Sequence, residues 1–309
     1  MKHRIFIATS SFLDLNNDPT DLLKKNSIDY FFNEKGRTLT ENEILNYLTD
    51  CDGVIAGTEK YNTNLLEKLT KLKVISRLGV GTDNIDLGKA ESEGIKVISC
   101  KTSPIESVSE IIIAALIMLS RNITPMMNSL KDKKWEKRMG NLISNRNLGI
   151  VGLGKIGKKL VQQSKGFGLS YYAYDEYQDE EFAKKFEVKY VSLEKLFEKS
   201  DFISLNIPLT HKTENILNRD AFLKMKRKPI IVNTSRGELI DEDDLGEALK
   251  SGQISSVFLD VFRDEPFKSD KLLELDNFYG TPHIGAYAEE TRSMLELEAV
   301  ENLIREIKN

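Results

Sequence analysis

The sequence predicts an α/β protein built as two doubly wound parallel-sheet domains, and three observations carry that prediction. From Ile5 to Cys100 short apolar runs alternate with amphipathic segments, and from Leu148 onward a second, longer alternation repeats the pattern. The second run opens on Gly152, Gly154 and Gly157, set between an apolar stretch and a helical one. Alternation of this kind implies parallel strands covered by helices on both faces. At 309 residues the chain also exceeds what one core usually serves.

In the first half, residues 5–8, 53–56, 74–76 and 97–99 read as strands. One intervening helix opens with a capping box at Thr40 and Glu43 and carries Ile44, Leu45 and Leu48 inward. Residues 107–121 (SVSEIIIAALIMLSR) are apolar nearly all round, which predicts a helix buried on several sides at a subunit or domain interface. Residues 122–140 read as a more polar helix in which Trp135 anchors a basic face of Lys131, Lys133, Lys134, Lys137 and Arg138. The second half is expected to hold six strands, at 148–152, 170–175, 190–191, 202–206, 230–233 and 257–261. Helices over 192–200 and 242–251 separate some of them, the latter opening at Asp241 and stopping at Gly252. A last helix near 289–308 places Met294, Leu295, Val300, Leu303 and Ile304 on one side and is expected to return to the first domain. The expected domains are therefore residues 1–100 with 287–309, and residues 101–286.

The stretch from Leu148 to Gly157 reads as a buried strand, a tight turn and an opening helix. In such a turn the first glycine allows a sharp reversal, the second lets backbone approach a pyrophosphate, and the third lets helix and strand pack closely. The free N–H groups of the helix N-terminus suit phosphate. Glycines alone also describe a purely steric corner. Asp175, at the end of the next apolar run, supplies the carboxylate expected to meet the ribose hydroxyls. Glu176 follows, and the next basic residue is Lys184, so nothing nearby is placed to accept a 2′-phosphate and NAD is favoured over NADP.

The 44 basic and 48 acidic residues give a formal charge of −4, with no strong pull toward nucleic acid. The longest apolar stretch, 111–119, is too short to span a bilayer, and the N-terminus runs directly into a strand, so no membrane partner and a cytoplasmic location are expected. Cys51 and Cys100 have no metal-like spacing, and neither a disulfide framework nor a metal site is expected.

Ligands of such sheets lie beyond the carboxyl ends of the strands, where Arg236, Glu265 and His283 fall. A histidine exchanges protons near neutral pH, a carboxylate beside it holds the ring and favours its charged form, and an arginine grips a substrate carboxylate with two parallel hydrogen bonds. Singly each residue has an ordinary surface or structural reading. Together they suit hydride transfer at a carbon that bears a hydroxyl next to a carboxylate.

Several ordered motifs extend this reading: Arg77-Leu78-Gly79-Val80-Gly81-Thr82-Asp83-Asn84-Ile85-Asp86, the block 131–138, the glycine turn, Asn206-Ile207-Pro208-Leu209-Thr210, and the blocks 233–237, 259–266 and 282–286. On these the chain resembles the D-isomer-specific 2-hydroxyacid dehydrogenases, most closely the phosphoglycerate dehydrogenase branch, over nearly its whole length from Gly53. The resemblance implies a Rossmann NAD-binding domain inserted in a smaller flavodoxin-like substrate domain. It implies Arg236, Glu265 and His283 as the catalytic set, and Val80 and Gly81 backbone N–H groups, with Arg236, on the substrate carboxylate. It further implies Gly152, Gly154, Lys155, Ile156, Gly157, Asp175, Pro208, Thr213, Thr234, Asp260 and Gly285 around NAD, and a homodimer joined through the NAD-binding domain.

The substrate expected first is the 3-phosphoglycerate/3-phosphohydroxypyruvate pair of serine biosynthesis. Phosphoglycerate enzymes usually place a phosphate-binding arginine after the strand at 53–55, whereas Ala56-Gly57-Thr58-Glu59-Lys60 stands here and Lys60 is the available substitute. Lys155 likewise replaces a common arginine in the glycine turn, and the regulatory domain that some such enzymes use to sense serine is not expected. A reductase of hydroxypyruvate, glyoxylate or another short 2-oxo acid is the alternative within enzymes. A non-enzymatic NAD-sensing binding protein, like the corepressors that resemble the same family, is the alternative outside them.

Overall fold

The computed structural model describes residues 3–10, 12–15 and 17–308. Its chain separates into two compact units, one formed by residues up to Pro104 together with those from Tyr287 onward, the other by Ile105–Ala286.

The first unit holds five strands, β1 (Arg4–Ile7), β2 (Asp29–Phe32), β3 (Gly53–Ala56), β4 (Val74–Arg77) and β5 (Lys96–Ser99). All neighbours run parallel, in the order β2-β1-β3-β4-β5. This is the doubly wound order with one switch point, between β1 and β3. Phe6, Val54, Ile75 and Leu48 are completely or almost completely buried beneath the covering helices. Helix Glu41–Leu48 starts at the capping box, with the Thr40 N–H donating to Glu43 Oε2 at 2.9 Å, and it turns Ile44 and Leu48 into the core. The closing helix, Glu289–Ile307, lies on β3, β4 and β5 and buries Leu295, Ala299, Val300 and Leu303. Met294, expected on that apolar side, is 54% exposed instead, because the buried face follows 295, 299, 303 and 307, one step round the helix. The edge strand β2 was not foreseen: Tyr30 and Phe31 are only half covered, which blurs its alternation.

The second unit contains β6 (Asn147–Val151), β7 (Ser170–Tyr174), β8 (Lys189–Tyr190), β9 (Phe202–Leu205), β10 (Ile230–Asn233), β11 (Ser256–Leu259) and β12 (Phe278–Gly280). The order is β12-β11-β10-β9-β6-β7-β8, parallel throughout. The chain therefore reverses its winding at β6 and β9, where a dinucleotide crevice opens. Seven strands stand here in place of the six expected, because Phe278, Tyr279 and Gly280 pair with Val257, Phe258 and Leu259. That added strand leads directly into Thr281-Pro282-His283.

Helix Ile105–Ser120 packs on helix Lys155–Ser164 and buries Val108, Ile112, Leu116 and Leu119 in the core of the second unit. The polar helix expected over 122–140 is shorter, Ile123–Lys131. Beyond it Lys133 adopts a left-handed φ of 61°, and residues 134–143 carry no regular element. Lys131, Lys134, Lys137 and Arg138 would stack like charges at helical spacing, which opposes continuation. Trp135 is consequently 83% exposed instead of anchoring a helical face. Among the described residues no single helix is long and apolar enough to cross a membrane.

Candidate active site

The glycine turn follows β6 as the spacing requires. Gly152 has φ 95°, and a Cβ on it would lie 2.6 Å from the Asn206 carbonyl oxygen, so both conformation and space demand glycine. A Cβ on Gly157 would meet the Gly152 oxygen at 2.4 Å, the close helix-to-turn packing that fixes where helix Lys155–Ser164 begins. Gly154 differs. A Cβ there would touch no protein atom within 4 Å, so its exposed backbone faces open space at the helix N-terminus. That is the cradle a pyrophosphate needs.

Asp175, just past β7, accepts the Leu153 N–H at 2.7 Å with Oδ2 and the Tyr177 N–H at 2.9 Å with Oδ1. Its carboxylate is thereby held beside the turn, and each oxygen keeps a further lone pair for a ribose hydroxyl. Glu176 beside it is exposed. Pro208 and Thr213 belong to one tight loop, the Thr213 hydroxyl donating to the Pro208 carbonyl at 2.8 Å and accepting the Thr210 N–H at 2.7 Å. Thr234, past β10, buries its hydroxyl without a protein hydrogen-bond partner, an arrangement that a bound polar ligand would complete. Lys155 is exposed, and the Ile156 side chain packs against the core. The residues of this crevice fit a dinucleotide.

At the other side of the sheet order, His283 and Glu265 meet. His283 Nδ1 lies 2.9 Å from Glu265 Oε2 and 3.1 Å from Oε1, and Oε1 also accepts the Phe262 N–H at 3.2 Å. A carboxylate accepts only, so Nδ1 carries the proton and Nε2 is left as the base. Both side chains retain solvent access, 36% for His283 and 26% for Glu265. His283 itself sits at a left-handed φ of 55°.

Asp260 explains how that backbone is held. It is 1% exposed, and its Oδ1 accepts the Thr281 hydroxyl at 2.6 Å and the Ile284 N–H at 2.8 Å, while Oδ2 accepts the Gly285 N–H at 2.7 Å. The carboxylate thus brackets His283 from both sides, a second task beside the one expected of it along NAD. Burial pushes its pKa up, and these donors together with the field of His283 pull it back. Thr281 was not singled out in the sequence, because a threonine before a proline carries no chemical signal of its own.

Arg236 is set by the turn after β10. Asn233, fully buried, donates from Nδ2 to the Arg236 carbonyl at 2.8 Å and accepts the Ser235 N–H at 3.0 Å. The guanidinium donates to the Ser235 carbonyl at 2.7 Å. The next residue, Gly237, abuts the Glu265 loop: a Cβ on it would fall 2.0 Å from the Phe262 carbonyl carbon and 2.2 Å from the Arg263 nitrogen. The arginine turn and the glutamate loop are therefore pressed together at backbone level.

Val80 and Gly81 belong to the first unit, in the turn after β4. Val80 is 48% exposed, and the turn is shaped by Gly79 at φ 131°. Lys60 is exposed beyond β3, and its neighbour Glu59 is 2% exposed. A buried glutamate at this place was not foreseen, since sequence alone gives no measure of its burial.

Residues 113–285 match the family model described as D-isomer specific 2-hydroxyacid dehydrogenase, NAD binding domain. A D-3-phosphoglycerate dehydrogenase of Methanocaldococcus jannaschii is 42% identical over 259 residues, which cover 82% of this chain and 49% of the relative, so the chain spans about half of that protein's length. A hydroxypyruvate reductase of Thermotoga maritima is 37% identical over 302 residues, covering 94% of this chain and 97% of the relative. Among solved structures, the apo D-lactate dehydrogenase from Escherichia coli superposes with a TM-score of 0.84 at 30% identity, covering 98% of this chain and 96% of that one.

Proposed function

The chain belongs to the D-isomer specific 2-hydroxyacid dehydrogenase family, and we propose that it interconverts a D-2-hydroxy acid and its 2-oxo acid with NAD. The observation that carries this reading is the contact of 2.9 Å between His283 Nδ1 and Glu265 Oε2, which leaves Nε2 to move a proton. NAD, held by the Gly154 backbone and the Asp175 carboxylate, would supply the acceptor for a hydride from the substrate's second carbon. His283 Nε2 accepts the hydroxyl proton in that direction and returns it in reduction. Glu265 holds the ring and stabilises its charged form. Arg236 grips the substrate carboxylate, and the N–H groups of Val80 and Gly81 are assigned to the same group.

The substrate we propose first is the 3-phosphohydroxypyruvate/3-phosphoglycerate pair, with Lys60 as the phosphate's cation; the name of the Methanocaldococcus relative supports it. A second reading, hydroxypyruvate or glyoxylate, is favoured by the buried carboxylate of Glu59 next to Lys60 and by the relative matched along almost its full length. The test is the initial rate of NADH oxidation on 3-phosphohydroxypyruvate, hydroxypyruvate, glyoxylate and pyruvate in parallel, with Lys60→Ala alongside. Preference for the phosphorylated acid that disappears in K60A supports the first reading. Preference for an unphosphorylated acid transfers the assignment to the second. Absence of turnover on all four would overturn both and favour an NAD-sensing binding protein.

A further inference from the structure

Around Arg263, a side chain with no part in the proton and hydride transfer, three segments of the second unit meet. The loop from Val261 to Phe267 carries Glu265 and is closed on itself: the Phe262 and Phe267 rings stack with centroids 4.2 Å apart, and the Phe262 N–H donates to Glu265 Oε1 at 3.2 Å. From this loop Arg263 reaches across to its neighbours. Its Nη2 donates to Asn215 Oδ1 at 2.6 Å, its Nη1 lies 3.3 Å from Glu214 Oε1, and its backbone N–H donates to Glu242 Oε1 at 3.4 Å. The ion pair with Glu214 is open to solvent, and such pairs contribute little. The bond to Asn215 is short, part-buried and charge-assisted, so it is the one that can hold the loop.

Asn215 belongs by its backbone to the segment that continues the arginine turn. Its N–H donates to the Glu238 carbonyl at 2.9 Å, two residues beyond Arg236. The Leu217 N–H follows onto the Leu239 carbonyl at 3.0 Å, the Asp241 N–H returns to the Leu217 carbonyl at 2.9 Å, and the two stretches pair as a parallel bridge at Leu217 and Ile240. Asn215 holds a left-handed φ of 51°, which asparagine adopts more readily than most residues. Gly237 lets the arginine turn and the glutamate loop touch at backbone level. A contact of that kind limits approach, whereas directed hydrogen bonds also fix orientation.

We propose that Arg263 is a positioning residue, which through Asn215 fixes the glutamate loop, and with it the Glu265–His283 pair, against the turn that carries Arg236. The inference rests on the catalytic reading of Arg236, Glu265 and His283. Arg236 grips the substrate and His283 moves the proton, so their relative placement governs how a bound acid is presented. A slack joint leaves the carboxylate gripped and the second carbon misplaced from Nε2. The loss therefore falls on kcat and spares KM.

The test uses Asn215→Gly, which keeps the left-handed backbone and its N–H while deleting the acceptor, and Asn215→Asp, which keeps an acceptor. Arg263→Met removes the donor from the other side. These variants, the N215G/R263M double variant and His283→Ala are compared by steady-state kinetics on the preferred 2-oxo acid and by NADH titration. The expected result is a kcat lower by about tenfold in N215G and in R263M, less than the roughly 10² that a 1 Å displacement costs, with KM and NADH affinity near wild type. N215D should restore kcat, and the double variant should be no worse than either single one, because both break the same bond. Wild-type kcat in both single variants beside an impaired H283A overturns the inference and leaves the catalytic reading standing. Additive deficits in the double variant overturn it as well, as does an N215D as slow as N215G. Wild-type turnover in H283A removes the catalytic reading and the inference with it. Should R263M not fold, N215G and N215D decide alone by the same kinetic split.

Discussion

His283 Nδ1 and Glu265 Oε2 stand 2.9 Å apart on loops that leave the adjacent strands β12 and β11, so sheet pairing itself sets the orientation of the imidazole. His283→Ala is expected to lower kcat by about 10²–10⁴, the usual worth of a positioned acid–base group, with NADH affinity unchanged. Glu265→Gln should lower it by less, because the ring stays in place while its charged form loses a partner. Stopped-flow turnover and NADH fluorescence titration check both. Wild-type turnover in H283A would remove the assignment.

Gly237→Ala tests the junction between the arginine turn and the glutamate loop. The added carbon would lie 2.0 Å from the Phe262 carbonyl carbon, so one backbone or the other must move. A displacement near 1 Å at reacting groups costs roughly 10² in rate. The variant is expected to bind NADH normally and turn over at about that deficit. Normal kcat would mean that the two segments move independently.

Gly152 and Gly154 make opposite predictions from one motif. Alanine at 152 meets the Asn206 oxygen at 2.6 Å in a left-handed conformation and should lower the unfolding temperature. Alanine at 154 meets no protein atom within 4 Å and should leave that temperature unchanged while weakening NADH binding by about tenfold, roughly 1.4 kcal/mol. Thermal denaturation beside NADH titration separates them. Equal binding in wild type and G154A would place the pyrophosphate elsewhere.

Glu59 and Asp260 carry the pH dependence of stability that burial imposes. Both carboxyls are raised, so between the ordinary carboxylate range and their native values the folded protein holds more protons than the unfolded chain. Stability then falls as pH rises through that window, by at most about 1.4 kcal/mol per pH unit for each group. The stability of wild type relative to Glu59→Gln should decline from pH 4.5 toward 7, as read by urea denaturation. A relative stability that grows with pH would contradict a raised Glu59.

The exposed arm after Lys131 predicts self-association. Trp135, Met139 and Leu142 are 83%, 95% and 68% exposed on a chain segment without a regular element, and a second copy of this chain is the partner we expect there. Sedimentation should give a dimer, and Trp135→Glu with Met139→Glu should give monomers that still bind NADH. Monomeric wild-type protein at micromolar concentration would end that reading.

Much of this arrangement was legible in advance because its signals are local. Gly152, Gly154 and Gly157 betray their turn by spacing, and His283 stands out because only three histidines occur. Two strands were not legible. β12 is three residues long and exists through its pairing with β11, while β2 is an edge strand whose side chains are half covered. Periodicity cannot show elements that arise from a neighbour. The 132–143 arm misled for a related reason, since its lone tryptophan resembled an anchor and the like charges around it outweighed that pattern. Glu59 escaped because burial of a carboxylate is a property of the folded neighbourhood.

The helix Glu289–Ile307 covers strands that were laid down within the first hundred residues. During synthesis all seven strands of the second unit are made before this helix, so the later-begun unit has its whole sheet while the earlier one still lacks part of its cover. The earlier sheet must wait on the ribosome with the surface destined for Leu295, Ala299, Val300 and Leu303 uncovered. A chain released ahead of Glu289 would therefore carry every strand of the second unit joined to a first sheet with an adhesive uncovered face, and should be a preferred chaperone client.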